Sequence, residues 1–363
     1  MRLLELFAGA GGASLGLARA GFHHLASVDA DEAACATLRA WGRPGVHALA
    51  SDHEAIERAM WASVEDEAWE IAADIVSGEP DEDCDSDAWG LEREAVAIGL
   101  AGRLARPLAL WASPPCQIHS RSNSRARDLA YDGWPDVLSA VDRWSPRVVM
   151  VENVQAAWGI AQAWISDLAV RGYKVAAGIL DAADYGAPQT RRRVIIIAAL
   201  DFSPHLPTPT HGPLRKPYAT LGGALPLLAA ERAAALPVDA GGLHRSASGE
   251  VVYPATGHGR AASEPWRLDQ PAPTVMTTEV KGTRASASSG WTFNGGPDRA
   301  ADAAFLATGR RRLTVEECAT LQGFPPGYPF TGTTDQRYRQ AGNAVPPCLA
   351  EAVGRAVMEA VQP

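Results

Sequence analysis

The chain has 363 residues, 47% of them hydrophobic, which is enough for a large core or two domains. No apolar stretch approaches the ~18 residues of a membrane span, the run Leu3–Phe7 is far too short for a secretory segment, and the five scattered cysteines (35, 84, 116, 318, 348) show no metal or disulfide spacing, so a cytoplasmic protein with no membrane segment and no metal is expected. The net charge of −9 argues against nucleic acid at first sight, but residues 52–87 alone carry −13, and the remainder, at +4, suits DNA.

Residues 2–7 read as a buried strand that ends in a Gly/Ala-rich turn, followed by a helix to about Ala20. Leu25–Asp29 reads as a strand, Glu32–Trp41 as a helix and Val46–Leu49 as a short third strand. Strands alternating with helices predict a doubly wound, mostly parallel α/β sheet. Residues 53–104 interrupt the rhythm, with helical segments around an acidic, mobile loop at Ser77–Asp87. Leu108–Ala112 is the next strand, Trp134–Trp144 a helix, Arg147–Val151 a strand and Trp158–Arg171 a helix. Lys174–Leu180 and Arg193–Ala199 are expected as an antiparallel edge pair. Prolines 204, 207, 209, 213 and 217 then mark a boundary near 200. Helical periodicity resumes at Thr314–Gln322 and at Ala344–Val361.

Chemistry concentrates where strands end. Pro114-Pro115-Cys116-Gln117 follows the strand at 108–112, so two prolines fix the direction of a thiol at a sheet edge. Such a thiol is a candidate nucleophile, Cys116. Taken alone, Pro-Pro-Cys is a structural turn. Pro346-Pro347-Cys348 is a second example, and it opens an amphipathic run that makes Cys348 a helix residue. Phe7-Ala8-Gly9-Ala10-Gly11-Gly12 joins the first strand to the first helix, where glycines let a ligand approach the backbone. Asp29 ends the second strand about 20 residues later, where a carboxylate can hold ribose hydroxyls. Glu152 ends a parallel strand, as a helix cap or as a group sharing the edge with Cys116. Alternation in an extended Gln189–Val194 puts Arg191 and Arg193 on one face, suited to phosphate or carbonyl oxygen.

In this order, and with Arg312–Glu317, Leu321-Gln322-Gly323-Phe324-Pro325 and Gln340-Ala-Gly342-Asn343-Ala344-Val345, the motifs resemble those of the DNA (cytosine-5) methyltransferases from residue 3 to about 357. The resemblance implies S-adenosyl-L-methionine as cofactor and double-stranded DNA as substrate. Cys116 would attack C6 of a flipped-out cytosine, with Glu152 at N3 and the exocyclic amine, Arg193 near O2, Arg191 supporting, and Pro114 and Pro115 positioning the thiol. Phe7, Ala8, Gly9, Gly11, Gly12, Asp29, Asn343 and Ala344 would hold the cofactor. Asp52 would take the adenine amine, with Asp74 as its rival. The loop Gln117–Gly133, through Gln117, Ser120, Arg121, Arg125 and Arg127, would close over DNA.

The implied organisation is a catalytic and cofactor-binding domain at 1–200 with the acidic insertion at about 53–104, a smaller irregular, β-rich target-recognition domain at 201–333, and a segment at 334–363 returning to the catalytic domain. Arg215, Lys216, His244, Arg245 and Arg260 are candidates for reading the target, which the sequence does not name. A monomer is expected, beside a possible cognate restriction endonuclease. RNA, tRNA in particular, is the alternative substrate, and a non-catalytic nucleic-acid-binding protein on the same fold is a third reading. The acidic segment, repelled by phosphate, is expected to lie away from the DNA cleft or to move when DNA binds.

Overall fold

The structure is a computed structural model that describes residues 1–75, 86–115, 132–226, 252–254, 265–267, 269–275 and 313–361. The chain forms two compact units, one of Met1–Ile179, Arg193–Pro207 and Glu351–Pro363, the other of Leu180–Arg192 and Thr208–Ala350.

The first unit is built on a sheet whose strands are β1 (Arg2–Leu6), β2 (His23–Asp29), β3 (Gly45–His47), β4 (Ala109–Ala112), β5 (Val148–Val154), β6 (Lys174–Asp181) and β7 (Arg192–Ala199). Among the described residues it is seven-stranded, in the order β3-β2-β1-β4-β5-β7-β6. The first five strands run parallel, and β7 lies antiparallel to β5. The central strands β4 and β5 are almost entirely buried. Their near-continuous apolar runs are the signature of strands covered on both faces. The two strands expected at an edge, β7 and β6, are neighbours at one end of the sheet, with β6 outermost and β3 at the opposite edge.

Helices α1 (Gly12–Arg19), α2 (Glu32–Ala40), α3 (His53–Ala62), α4 (Glu65–Ile75), α5 (Ser86–Leu104), α6 (Trp134–Trp144) and α7 (Trp158–Ala169) connect the strands. Helix α6 shows why the sequence folds here. Gly133 starts it in a left-handed conformation, and a proline follows in its first turn. Val137, Ala140, Val141 and Trp144 then recur at helical spacing and are buried. Each large side chain buried this way contributes about 1.5–3 kcal/mol. Among the described residues the interruption at 53–104 carries α3, α4 and α5. Of the acidic stretch Ser77–Asp87, only its last two residues are described, and they begin α5.

The second unit carries α8 (Leu221–Ala224), the antiparallel pair β8 (Val252–Pro254) and β9 (Pro265–Arg267), α9 (Val315–Gln322) and α10 (Thr334–Asn343). Leu221, Ala272, Val275, Cys318, Leu321 and Ala341 form its core. Helix α10 has no counterpart among the sequence expectations, because its residues TDQRYRQAGN offer no apolar stripe. Its signal is the capping box of Thr333 with Gln336, in which each side chain bonds the other's backbone N–H. The last helix, α11 (Pro347–Val361), begins three residues later than expected and has Cys348 in its first turn. Within the first unit, its Gly354 packs closely on α1: a Cβ there would lie 2.7 Å from that of Ala20. Among the described residues no helix is long and apolar enough to cross a membrane.

Candidate active site

The carboxyl ends of β1, β2, β4 and β5 and the start of β7 bring the candidate residues of the first unit together. At β1 the chain turns sharply: Phe7, Gly9 and Gly11 all have positive φ, at 57°, 54° and 85°. Gly9 and Gly11 take this conformation without cost, whereas Phe7 stores strain. Gly11 caps α1 without a side-chain hydrogen bond, and the space where a Cβ of Gly9 would stand is open to 4 Å. Ala8 is buried and its N–H donates to the Val28 carbonyl at 3.0 Å, tying the turn to β2.

Asp29 ends β2 and holds the same turn. Its Oδ2 accepts from the Gly9 N–H at 2.8 Å and its Oδ1 from the Asp31 N–H at 2.8 Å. Burial pushes its carboxyl above the usual range; the Asp31 and Gly9 N–H groups oppose that, and the charges of Asp31 and Glu5 add to it. Asp52, exposed after β3, caps α3 by accepting from Ala55 N–H at 3.0 Å. Its rival Asp74 lies in α4.

At β4, Pro114 and Pro115 follow the strand, and Cys116 lies outside the described residues, as do Gln117, Ser120, Arg121, Arg125 and Arg127. Two neighbours fix the turn that leads to the thiol. Asn153, buried on β5, donates from Nδ2 to the Pro114 carbonyl at 3.0 Å. Gly133, before α6, sits so close that a Cβ would lie 2.7 Å from Pro115 Cδ and 2.9 Å from Phe7 Cζ. The described residues on either side of 116–131 therefore touch. Neither Asn153 nor Gly133 was assigned a role from sequence; the contact of Asn153 with Pro114 joins residues 39 apart and that of Gly133 with Phe7 joins residues still farther apart in the chain.

Glu152 and Arg193 form the charged centre. Arg193 Nε lies 2.9 Å from Glu152 Oε1, and their side chains are 11% and 9% exposed. The register explains it: Val154 stands opposite Arg193 in the antiparallel pair, so Glu152, two residues earlier, is its diagonal neighbour on the same face. Glu152 is a strand residue of β5, not a helix cap.

Arg191 takes different partners, within the second unit. It is 3% exposed, and its guanidinium donates to the carbonyls of Val275 at 2.9 Å and Gly342 at 2.8 Å. Gln189 accepts from Val275 N–H and donates to the Leu321 carbonyl and Gln322 Oε1, while Gln322 donates to the Ala341 carbonyl. This buried network holds the end of α10, where Asn343 is exposed and Ala344 buried. The expectation that Arg191 and Arg193 work from one face gives way to two separate engagements, because the strand begins only at Arg192. Arg215 and Lys216 are exposed in a turn where Gly212 N–H donates to the Lys216 carbonyl. His244, Arg245 and Arg260 lie outside the described residues.

A mostly parallel sheet in which β7 is reversed, a glycine-rich turn after β1 and an acidic residue ending β2 define the α/β methyltransferase class. The family model for C-5 cytosine-specific DNA methylases matches residues 1–58, 104–221 and 248–359. The chain belongs to that family, and the enzyme is a DNA cytosine-5 methyltransferase. The match passes over 59–103, where α4 and most of α5 lie. Among relatives, the Type II methyltransferase M1.HphI of Haemophilus parahaemolyticus is 28% identical, over 98% of this chain and 86% of its own length. M.NgoMIV of Neisseria gonorrhoeae is 27% identical, over 99% and 97%. The solved structures of the Entamoeba histolytica methyltransferase EhMeth and of S. pombe Dnmt2 superpose with TM-scores of 0.56 and 0.54. They share 15% and 16% identity, cover 98% or more of both chains, and speak for the fold.

Proposed function

We propose that the protein methylates C5 of a flipped-out cytosine in duplex DNA through a covalent bond between Cys116 and C6, using S-adenosyl-L-methionine. The observation that carries this reading is the Glu152–Arg193 pair at 2.9 Å, beside the Asn153-held turn that leads directly into Cys116.

The residues present fit the cofactor. An uncapped helix start offers backbone N–H groups to a carboxylate. Asp29, already fixed by two N–H groups, is placed to accept from ribose hydroxyls. Phe7 and the open space at Gly9 suit an adenosyl group. Asn343 and Ala344 are proposed as further contacts, and Asp52 for the adenine amine. The cofactor supplies an electrophilic methyl group.

The chain's own residues do the rest. The prolines and Asn153 aim the Cys116 thiolate at C6, and its addition pushes an electron pair onto C5. Glu152 meets N3 and the amine as charge develops on the ring, with Oε1 facing Arg193 and Oε2 left for the base. Arg193 orients that carboxylate and reaches toward O2. After C5 is methylated, water acting as base takes the C5 proton, the C–H pair re-forms the C5–C6 double bond, and the Cys116–C6 bond breaks to return the thiolate. C6 is inaccessible within stacked base pairs, so the cytosine must leave the duplex.

We place the protein in the cytoplasm as a monomer, with a cognate endonuclease as its counterpart. Bisulfite sequencing of DNA from a methylation-free host expressing the protein should reveal methylated cytosines in one recurring sequence. Unmethylated DNA, with tritiated methyl groups entering tRNA instead, would overturn the reading.

A further inference from the structure

One charged group in the first unit has no part in the chemistry above. Glu5 lies in β1, two residues before Phe7, and is 0% exposed. Its Oε2 accepts from Ser14 Oγ in the first turn of α1 at 2.5 Å and from Ser27 Oγ on β2 at 3.0 Å. Its Oε1 is buried with no hydrogen-bond partner among the described residues. Among the described residues its basic neighbour is His24, whose Nε2 is 3.4 Å from Oε2 and makes no hydrogen bond there. That distance exceeds the ~2.7–2.9 Å of a charge-assisted bond, so the carboxylate is not closed into a tight ion pair.

Burying an under-paired carboxylate is costly, and two hydroxyls would be served equally well by a neutral amide. What an amide lacks is the charge. The charge sits on β1 just before the glycine-rich turn, held between Ser14 of α1 and Ser27 of β2, and it is the smallest of the causes that raise the Asp29 carboxyl. A charge held in the protein interior is screened less than one in water, so its field reaches the turn that follows it. We propose that Glu5 biases the cofactor site toward the sulfonium cation of S-adenosylmethionine over the neutral thioether S-adenosylhomocysteine, acting through the field at the turn and not through contact. Glu5 is thus a specificity-determining positioning residue, and the inference rests on the cofactor reading above. The consequence is product release: transfer of the methyl group removes the positive charge, and the site then holds its occupant less well than the same site with a neutral residue at position 5 would, relative to the methylated form.

The test is titration calorimetry with S-adenosylmethionine and S-adenosylhomocysteine on the full chain. Glu5→Gln should shift the ratio of the two affinities toward S-adenosylhomocysteine by on the order of tenfold, the scale of one charge ~10 Å away at an effective dielectric of about 20. Glu5→Asp, which keeps the charge, should hold the wild-type ratio. Ser14→Ala should weaken both ligands together and leave the ratio unchanged, which separates the field from the hydrogen bond. Should Glu5→Gln not fold, the triple variant Glu5→Met, Ser14→Ala, Ser27→Ala replaces the cluster by apolar groups and leaves no hydroxyl stranded; its ratio should shift in the same direction. An unchanged ratio in the charge-free variants would overturn the proposal. Failure of the wild type to bind either molecule would overturn the cofactor reading instead.

Discussion

The Arg193 guanidinium and the Glu152 carboxylate meet at 2.9 Å across two antiparallel strands, both nearly shielded from water. Removing Arg193 leaves a buried carboxylate without its counter-charge. Arg193→Ala should therefore destabilise the protein by about 3 kcal/mol. Glu152→Gln keeps shape and an acceptor, so its stability cost should be smaller. Its effect on kcat should be the larger, on the order of 10²–10⁴, as for loss of a group that manages a proton. Urea unfolding and single-turnover methyl transfer on the two variants check both halves. Equal stability losses with unchanged turnover would mean a structural ion pair only.

Much of the scaffold around this pair is legible in the sequence. Helix α6 falls at the expected residues because Gly133, an early proline and the spacing of Val137, Ala140, Val141 and Trp144 all agree. The glycine-rich turn and Asp29 are also visible, being local punctuation at strand ends. What the sequence does not display is long-range pairing. That β7 enters beside β5 sets Arg193 diagonal to Glu152, and no local pattern encodes it. The same holds for Asn153 on the Pro114 carbonyl and for the engagement of Arg191 with Val275 and Gly342, 84 and 151 residues away. Helix α10 escaped because it is polar throughout its exposed length and its capping box was the sole cue.

Gly133 should tolerate no side chain. Its φ of 68° disfavours an L-residue, and a Cβ would press on Pro115 and Phe7 together. Gly133→Ala should cost about 1–3 kcal/mol and lower kcat, because it displaces the turn that presents Cys116. Thermal unfolding and steady-state kinetics measure this. Wild-type kcat would show that the contact does not position the thiol.

Asp29 gives a pH signature. Its folded pKa is raised, chiefly by burial, so the folded state holds its proton to higher pH than the unfolded chain. Its stability contribution is full below the unfolded value of about 3.9 and is lost as pH rises through the folded one. Against the non-titrating Asp29→Asn variant, the wild type should gain relative stability as pH falls through that window. Its cofactor affinity should fall over the same range, because a protonated carboxyl accepts poorly from ribose. Parallel denaturation and calorimetric titrations from pH 7 to pH 4 test both signs. A relative stability that moved the other way would contradict the raised pKa.

Thiol chemistry should distinguish the cysteines. Cys35 is buried, and burial pushes its pKa up to about 12 with the Asp29 charge adding to the shift. It should resist alkylation at neutral pH while the protein is folded. Inactivation by iodoacetamide should map to Cys116 by peptide mass spectrometry. Inactivation tracking modification at Cys35 would assign the essential thiol differently.

The central claim is that Cys116 forms a covalent bond to the target cytosine. Duplex DNA carrying 5-fluorocytosine at the methylated site cannot lose a proton from C5 and should trap that bond when S-adenosylmethionine is present. Denaturing electrophoresis should show a protein–DNA adduct, with the DNA attached at Cys116 and none formed by Cys116→Ser. No adduct on a duplex whose unmodified form is methylated, or equal methylation by wild type and Cys116→Ser, would contradict the account.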